Sequence, residues 1–339
     1  MHDRTRPESS PATPPSPGPA LTELDQLATD VGRLLDRIGI APDRIDTRFA
    51  RTAARHPART ATCDSDGEAT YLELEWLADD VARRLEGRAE PGRPVAVRAA
   101  RTRFAPAAVI GVLRAGVPCV PLDADDPADH QAYALEDSGA GLILTDCGLL
   151  EDEVPLLKAG PFVLASRLLY GADSGHEPAS LPQGSAYVMH TADSGPEGRV
   201  VGHAQVLAHL DTAVPLVDTG PDDVWTLCHP LNADLSVWEL WGPLLHGGRL
   251  VMADHEAATD PDQLARLLAD RRVTVLSQRP DAFGQLAAAT GDGRIRLPAL
   301  RRVVLADGGS AAADVRSWQD GGTAPNAKVV ALPDGAGLL

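Results

Sequence analysis

From Phe49 onward the sequence alternates short apolar or β-branched runs with longer helical segments, the pattern of strands laid side by side in a parallel sheet and covered by helices. Residues 94–97, 119–122, 142–145 and 162–164 predict buried strands in the first half of the chain. Residues 187–189, 224–228, 250–252, 273–276, 302–305 and 328–331 predict them in the second. Helical segments at 104–115 and 130–138 each run into a glycine, Gly116 and Gly139, which takes the left-handed conformation that stops a helix. The fold class this predicts is α/β. A stretch rich in Asp, Ser, Pro and Gly at 171–184 divides it into a first α/β subdomain over 45–170 and a second over 185–339. The chain stops at Leu339, just after the last predicted strand, where a site at the carboxyl ends of strands still needs its closing loops.

Ahead of this lies different material. Residues 1–20, with their Pro- and Ser-rich run P-E-S-S-P-A-T-P-P-S-P-G-P, cannot pack a core and predict a disordered leader. Over 21–42 the apolar positions Leu21, Leu24, Leu27, Val31, Leu34, Leu35 and Ile38 recur at three- and four-residue steps, forming one stripe on an amphipathic helix. That stripe suits packing on its own domain or docking on another protein.

The charge balance removes several functions. A formal net charge of -17 argues against nucleic-acid or anionic-membrane partners, which bind clustered Lys and Arg. No apolar run approaches the roughly 18–20 residues that span a bilayer, and M-H-D-R-T-R-P-E-S-S lacks the apolar stretch of a signal peptide. The chain is therefore expected in the cytoplasm. Cys63, Cys119, Cys147 and Cys228 show no C-x-x-C spacing and read as reduced packing cysteines. The histidines are scattered without ligand spacing, so no metal site is expected. No G-x-S-x-G elbow supports a hydrolase, and the terminal G-A-G-L is too short for a dinucleotide fingerprint.

The chemistry concentrates at 186–203, A-Y-V-M-H-T-A-D-S-G-P-E-G-R-V-V-G-H, an apolar strand followed by a small-residue loop and a helix start. Such a junction offers free backbone N–H groups and a helix dipole to an anion. Asp193 and Glu197 place negative charge in the loop, and it has no lysine, so its charges oppose the anion its geometry invites.

Several stretches carry a family resemblance: T-Y-L-E-L at 70–74, L-R-A-G-V-P-C-V-P-L-D at 113–123, L-E-D-S-G-A at 135–140, the segment 222–248 with its S-V-W-E-L-W, and V-T-V-L-S-Q-R-P-D-A-F at 273–283. In order and content these resemble the adenylation domains of nonribosomal peptide synthetases, members of the adenylate-forming ligase superfamily. The resemblance covers roughly 45–335 and implies two α/β subdomains of the N-terminal core plus a small distorted barrel. It also implies activation of an amino acid with ATP and Mg2+. In the family a mobile C-terminal subdomain, with a lysine that contacts the acyl phosphate, follows, and the resemblance implies that the sequence ends before it.

Residue by residue, the family's phosphate loop Y-T-S-G-S-T-G-x-P-K-G maps onto 190–198 with two residues fewer. Thr191, Ser194, Gly195, Pro196 and Gly198 match; Ala192, Asp193 and Glu197 depart, Glu197 standing at the lysine position. Arg199 is the nearest replacement cation. In the family an aspartate before S-V-W receives the substrate ammonium, and Asp234 stands there; Leu235, Trp238 and Ser277 match side-chain pocket positions. Read from the residues alone, Asp234 is equally a helix N-cap and Trp238 equally a core residue. The family's N-x-Y-G-x-T-E is replaced by V-A-L-P-D-G-A at 330–336, with Asp334 one residue off the metal-ligand position, and the glycine-rich loop at 305–310 is altered.

Three readings follow. The chain is a truncated, degenerate adenylation core that no longer adenylates alone and serves as a recognition or scaffold partner; or it is a ligase completed in trans by a separate C-terminal subdomain; or it is a decayed fragment. The partners implied are a carrier protein, that subdomain, an MbtH-like helper and an amino acid.

Overall fold

The computed structural model describes residues 43–149, 153–167, 181–190, 198–291, 294–306, 316, 318 and 320–331. The leader, the amphipathic 21–42 segment, most of 171–184 and the carboxyl-terminal 332–339 lie outside the described residues.

The strands are β1 (Thr60–Cys63), β2 (Glu68–Thr70), β3 (Val95–Ala99), β4 (Cys119–Asp123), β5 (Leu142–Thr145), β6 (Glu153–Ala159), β7 (Phe162–Arg167), β8 (Ser185–Met189), β9 (Arg199–Gly202), β10 (Val224–Leu227), β11 (Arg249–Met252), β12 (Val275–Gln278), β13 (Arg302–Leu305) and β14 (Lys328–Ala331). The helices are α1 (Ile45–Arg55), α2 (Tyr71–Leu85), α3 (Ala105–Arg114), α4 (Ala128–Ser138), α5 (His203–Val217), α6 (Asp234–Leu244), α7 (His255–Thr259), α8 (Pro261–Asp270) and α9 (Pro280–Thr290). The expected helix stops are as the glycines dictate: Gly116 has φ 82° and Gly139 caps α4 at φ 70°.

Two seven-stranded sheets form, ordered β6-β7-β5-β3-β4-β8-β9 and β14-β13-β12-β10-β11-β1-β2. The sheets are mixed and not purely parallel as the alternation predicts. Antiparallel pairs β5/β7, β6/β7, β8/β9 and β1/β2 occupy the flanks, while β3, β4, β5 and β8 in one sheet and β10 to β14 with β1 in the other run parallel. The sheets also divide the chain differently from a cut at 171–184. The β1/β2 hairpin joins the second half's sheet beside β11, and β8/β9 joins the first half's beside β4. Short strands such as T-A-T-C pair wherever a sheet has an open edge, which a linear reading does not reveal.

Helix α6 links the two sheets. In α6 every residue from Leu235 to Leu244 is buried, as a helix apolar on all sides must be. Its Trp241 Nε1–H donates to Tyr187 Oη on β8 at 2.8 Å, and its Trp238 Nε1–H donates to Ser277 Oγ on β12 at 3.0 Å. Each indole thus finds its hydrogen-bond partner in a different sheet. A fully buried ion pair pins the other flank: Arg98 on β3 forks onto Glu153 on β6 at 2.7 and 2.8 Å and also donates to Gly148 O at 2.6 Å.

Candidate functional site

The carboxyl ends of β8, β10 and β12 deliver the residues the sequence singles out. Met189 ends β8 and His190 follows; residues 191–197, with Thr191, Ser194, Gly195 and Pro196, lie outside the described residues, and the chain is described again from Gly198. Both edges of that gap are held by one carboxylate. Asp137 Oδ2, in the last turn of α4, accepts the Gly198 N–H at 2.9 Å and lies 2.8 Å from His190 Nε2. A carboxylate at a helix carboxyl end opposes the dipole, and these two donors offset that cost. His190 Nδ1 is buried with no partner among the described residues. Gly198 itself is sterically required, because a Cβ there would stand 2.6 Å from His190 Nε2 and 2.8 Å from Val188 Cγ1.

Asp234 is the first residue of α6, and the N-cap is Ala233, which makes no side-chain cap. The N-cap reading of Asp234 is thereby corrected. The first-turn carboxylate turns instead to Arg199, whose Nη2 donates to Asp234 Oδ1, with the two side chains 31% and 35% exposed. Arg199, a candidate cation for phosphate by its position after the loop, meets Asp234 here. Ser236 secures the turn before α6 by donating to Leu231 O at 2.9 Å and Ala233 O at 2.6 Å.

Leu235, Trp238 and Ser277 are all buried, at 5%, 1% and 1% exposure. The structure brings Trp238 and Ser277 together through the indole hydrogen bond, and Trp238 lies four residues and one turn beyond Asp234, on the same helix face. Trp225 packs against Trp238 with ring centroids 5.1 Å apart, and His209 meets it edge-on at 6.2 Å. Burial holds the His209 imidazole below its ordinary pKa, so it is neutral at pH 7. The platform depends on a glycine one turn along α6: a Cβ at Gly242 would come within 2.6 Å of the Trp225 ring. Gly242→Ala is therefore expected to cost about 1–3 kcal/mol by overpacking and to change the near-ultraviolet circular dichroism of the tryptophans. An unchanged spectrum and unfolding midpoint would refute the close approach.

Glu239 is a site residue that sequence reasoning missed. Wholly buried on α6, it accepts the Cys228 and His229 N–H groups at 3.1 Å each through Oε2, and His229 Nδ1 lies 3.0 Å from Oε1. It thereby shapes the turn that leads from β10 into Asp234. Across the seam between the sheets, Asn232 Nδ2 donates to Asp126 Oδ2 at 2.7 Å and Arg101 Nε donates to Ala253 O at 3.0 Å.

The described edge of the 191–197 loop fits a triphosphate poorly. The Gly198 N–H, a donor an anion could use, is bonded to a carboxylate, so Asp137 places negative charge at that edge. Among the described residues no group of three or more His, Cys, Asp or Glu side chains gathers as metal ligands do. Cys63, Cys119 and Cys228 are buried free thiols and Cys147 is exposed. No helix among the described residues is long and apolar enough to cross a membrane. Asp334 and the altered loop after β13 lie outside the described residues.

Residues 49–329 match the family model described as AMP-binding enzyme. Among curated proteins, the dimodular nonribosomal peptide synthase of Bacillus subtilis (strain 168) is 34% identical over 257 residues, covering 71% of this chain and 11% of that protein. Syringomycin synthase SyrB1 of Pseudomonas syringae pv. syringae is 32% identical over 276 residues, covering 80% of this chain and 44% of that one. The chain thus spans less than half the length of these relatives. Among solved structures, the AMPPNP-bound form of the nonribosomal peptide synthetase FmoA3 superposes with a TM-score of 0.69 at 29% identity, covering 85% of this chain and 31% of that one. The N-terminal subdomain of Klebsiella oxytoca NpsA, in complex with 3-hydroxyanthranilyl-AMSN, superposes with a TM-score of 0.67 at 20% identity over 85% of this chain and 71% of that one, a likeness of fold.

Proposed function

The chain belongs to the AMP-binding enzyme family, with relatives among nonribosomal peptide synthetases, and from that premise we propose that it is a degenerate adenylation core that recognises a carboxylic acid and no longer adenylates it alone. In this reading it is a recognition or scaffold partner in peptide assembly. Family membership implies chemistry built on ATP, and the reading separates the two halves of that chemistry. Acid recognition falls to Asp234, Leu235, Trp238 and Ser277, with Glu239 holding the turn before them. Nucleotide binding falls to the loop after β8.

The observation that carries the reading is Asp137. Trp238 donates to Ser277 and Arg199 to Asp234, whereas His190 and Gly198, on either side of 191–197, both meet one carboxylate. A phosphate-binding loop gains from lysine and open N–H donors. Here Glu197 takes the lysine position and one of those donors is already used. The carrier protein, a C-terminal subdomain supplied in trans and an MbtH-like helper are the proposed partners.

The test is exchange of labelled pyrophosphate into ATP in the presence of amino and other carboxylic acids, run beside thermal-shift titrations. The expected result is no exchange above background, with stabilisation by an acid and none by ATP and Mg2+. Acid-dependent exchange by the purified chain would overturn the reading in favour of an active ligase.

A further inference from the structure

The Arg199–Asp234 pair bears on which acids such a site accepts. Arg199 opens β9 and is in register with Met189 of β8, and the residue before it is bonded to Asp137. The guanidinium therefore reaches Asp234 from a backbone anchored on two sides. Both side chains are about one-third exposed, so the pair sits where a ligand can meet it and is not sealed in the core. Leu235 and Trp238 follow on the same helix and are buried, and the Ser277 hydroxyl accepts the Trp238 indole N–H there.

We infer that Arg199 selects carboxylic acids lacking an α-ammonium group, by occupying Asp234 with a cation supplied by the chain itself. The inference rests on the reading of Asp234, Trp238 and Ser277 as acid-recognition residues. A carboxylate and a guanidinium together carry no net charge. An incoming ammonium gains a full ion pair only by displacing Arg199, and a tethered partner competes at an effective concentration in the millimolar range or above. A guanidinium left without its carboxylate also forfeits a charge-assisted hydrogen bond. An α-hydroxy, α-keto or aryl acid brings no second cation and leaves the pair intact. The one-third-exposed Arg199–Asp234 pair suits such an acid.

The test is calorimetric or thermal-shift titration of the full chain, without nucleotide, against the proteinogenic amino acids paired with their α-hydroxy and α-keto counterparts, together with benzoate-type aryl acids. At least one acid without an α-ammonium should bind the wild-type chain about tenfold tighter than its amino-acid counterpart, a ratio equivalent to about 1.4 kcal/mol. Arg199→Gln should invert that ratio, and Arg199→Lys, which keeps the cation, should preserve it; circular dichroism of both variants checks the fold. Amino acids binding the wild-type chain more tightly, or a ratio unmoved by Arg199→Gln, overturns the role of Arg199 while leaving acid recognition standing. Failure of every acid to bind both wild type and Arg199→Gln defeats the acid-recognition reading, and the selectivity falls with it.

Discussion

Glu239→Ala is expected to lower the free energy of unfolding by about 3–5 kcal/mol, measured by equilibrium urea denaturation. The side chain is wholly buried and accepts two backbone N–H groups while also meeting the His229 ring. Alanine leaves those N–H groups without an acceptor, at about 1–3 kcal/mol for each buried unsatisfied donor, and opens a void as well. Glu239→Gln keeps the volume and one oxygen acceptor, so its loss should be about 1–2 kcal/mol. His229→Ala removes only the ring and should fall below both. If alanine at 239 cost less than about 1 kcal/mol, the carboxylate would not be what shapes the turn between β10 and α6. Because that turn delivers Asp234, Glu239→Ala should also weaken acid binding, whereas Glu239→Gln should retain most of it.

The parts of this fold legible in the sequence are those whose signal is local. The predicted runs at 142–145, 302–305 and 328–331 coincide with β5, β13 and β14: β5 and β13 are buried after their first residue and so are written as continuous apolar runs, and β14, half-buried at the sheet edge, still carries the run V-V-A. The strands that escaped lack a clean apolar run: β1 is T-A-T-C, β9 is R-V-V-G and β6 contains a proline and a lysine. Each is defined by the neighbour it pairs with. The exchange of β1/β2 and β8/β9 between the sheets was hidden for the same reason.

The site divides along the same line. Trp238 and Asp234 stand on one helix face by spacing alone, and S-V-W-E-L-W marked them. Glu239, in that same run, gave no sign of its role because its partners lie 10 and 11 residues upstream on the backbone. Asp137 meets residues 53 and 61 positions away, and Arg199 meets Asp234 across 35. One signal was available in principle: a carboxylate in the last turn of a helix works against the dipole, so Asp137 in L-E-D-S-G asks for donors from elsewhere.

Acid should unfold this protein earlier than its carboxylates alone would dictate, because of His203. The imidazole, at the start of α5, is 3% exposed and its Nδ1 accepts the Ile45 N–H of α1 at 3.3 Å. Burial first, and the nearby Arg44 guanidinium second, push its pKa from the ordinary 6.5 down to about 3. The unfolded chain therefore takes up this proton before the folded one does. Stability from His203 is fully present above about pH 6.5 and is lost as the pH falls from there toward about 3, at a slope approaching 1.4 kcal/mol per pH unit. Burial lowers the pKa of His209 and His246 as well, so the wild-type curve contains their parts. His203→Asn offers an amide oxygen where Nδ1 accepts and cannot titrate. Subtracting its stability curve from that of the wild type between pH 6.5 and 4.5, above most carboxylate titration, should isolate a difference that changes by about 2–3 kcal/mol. A flat difference would mean that His203 is protonated in the folded protein.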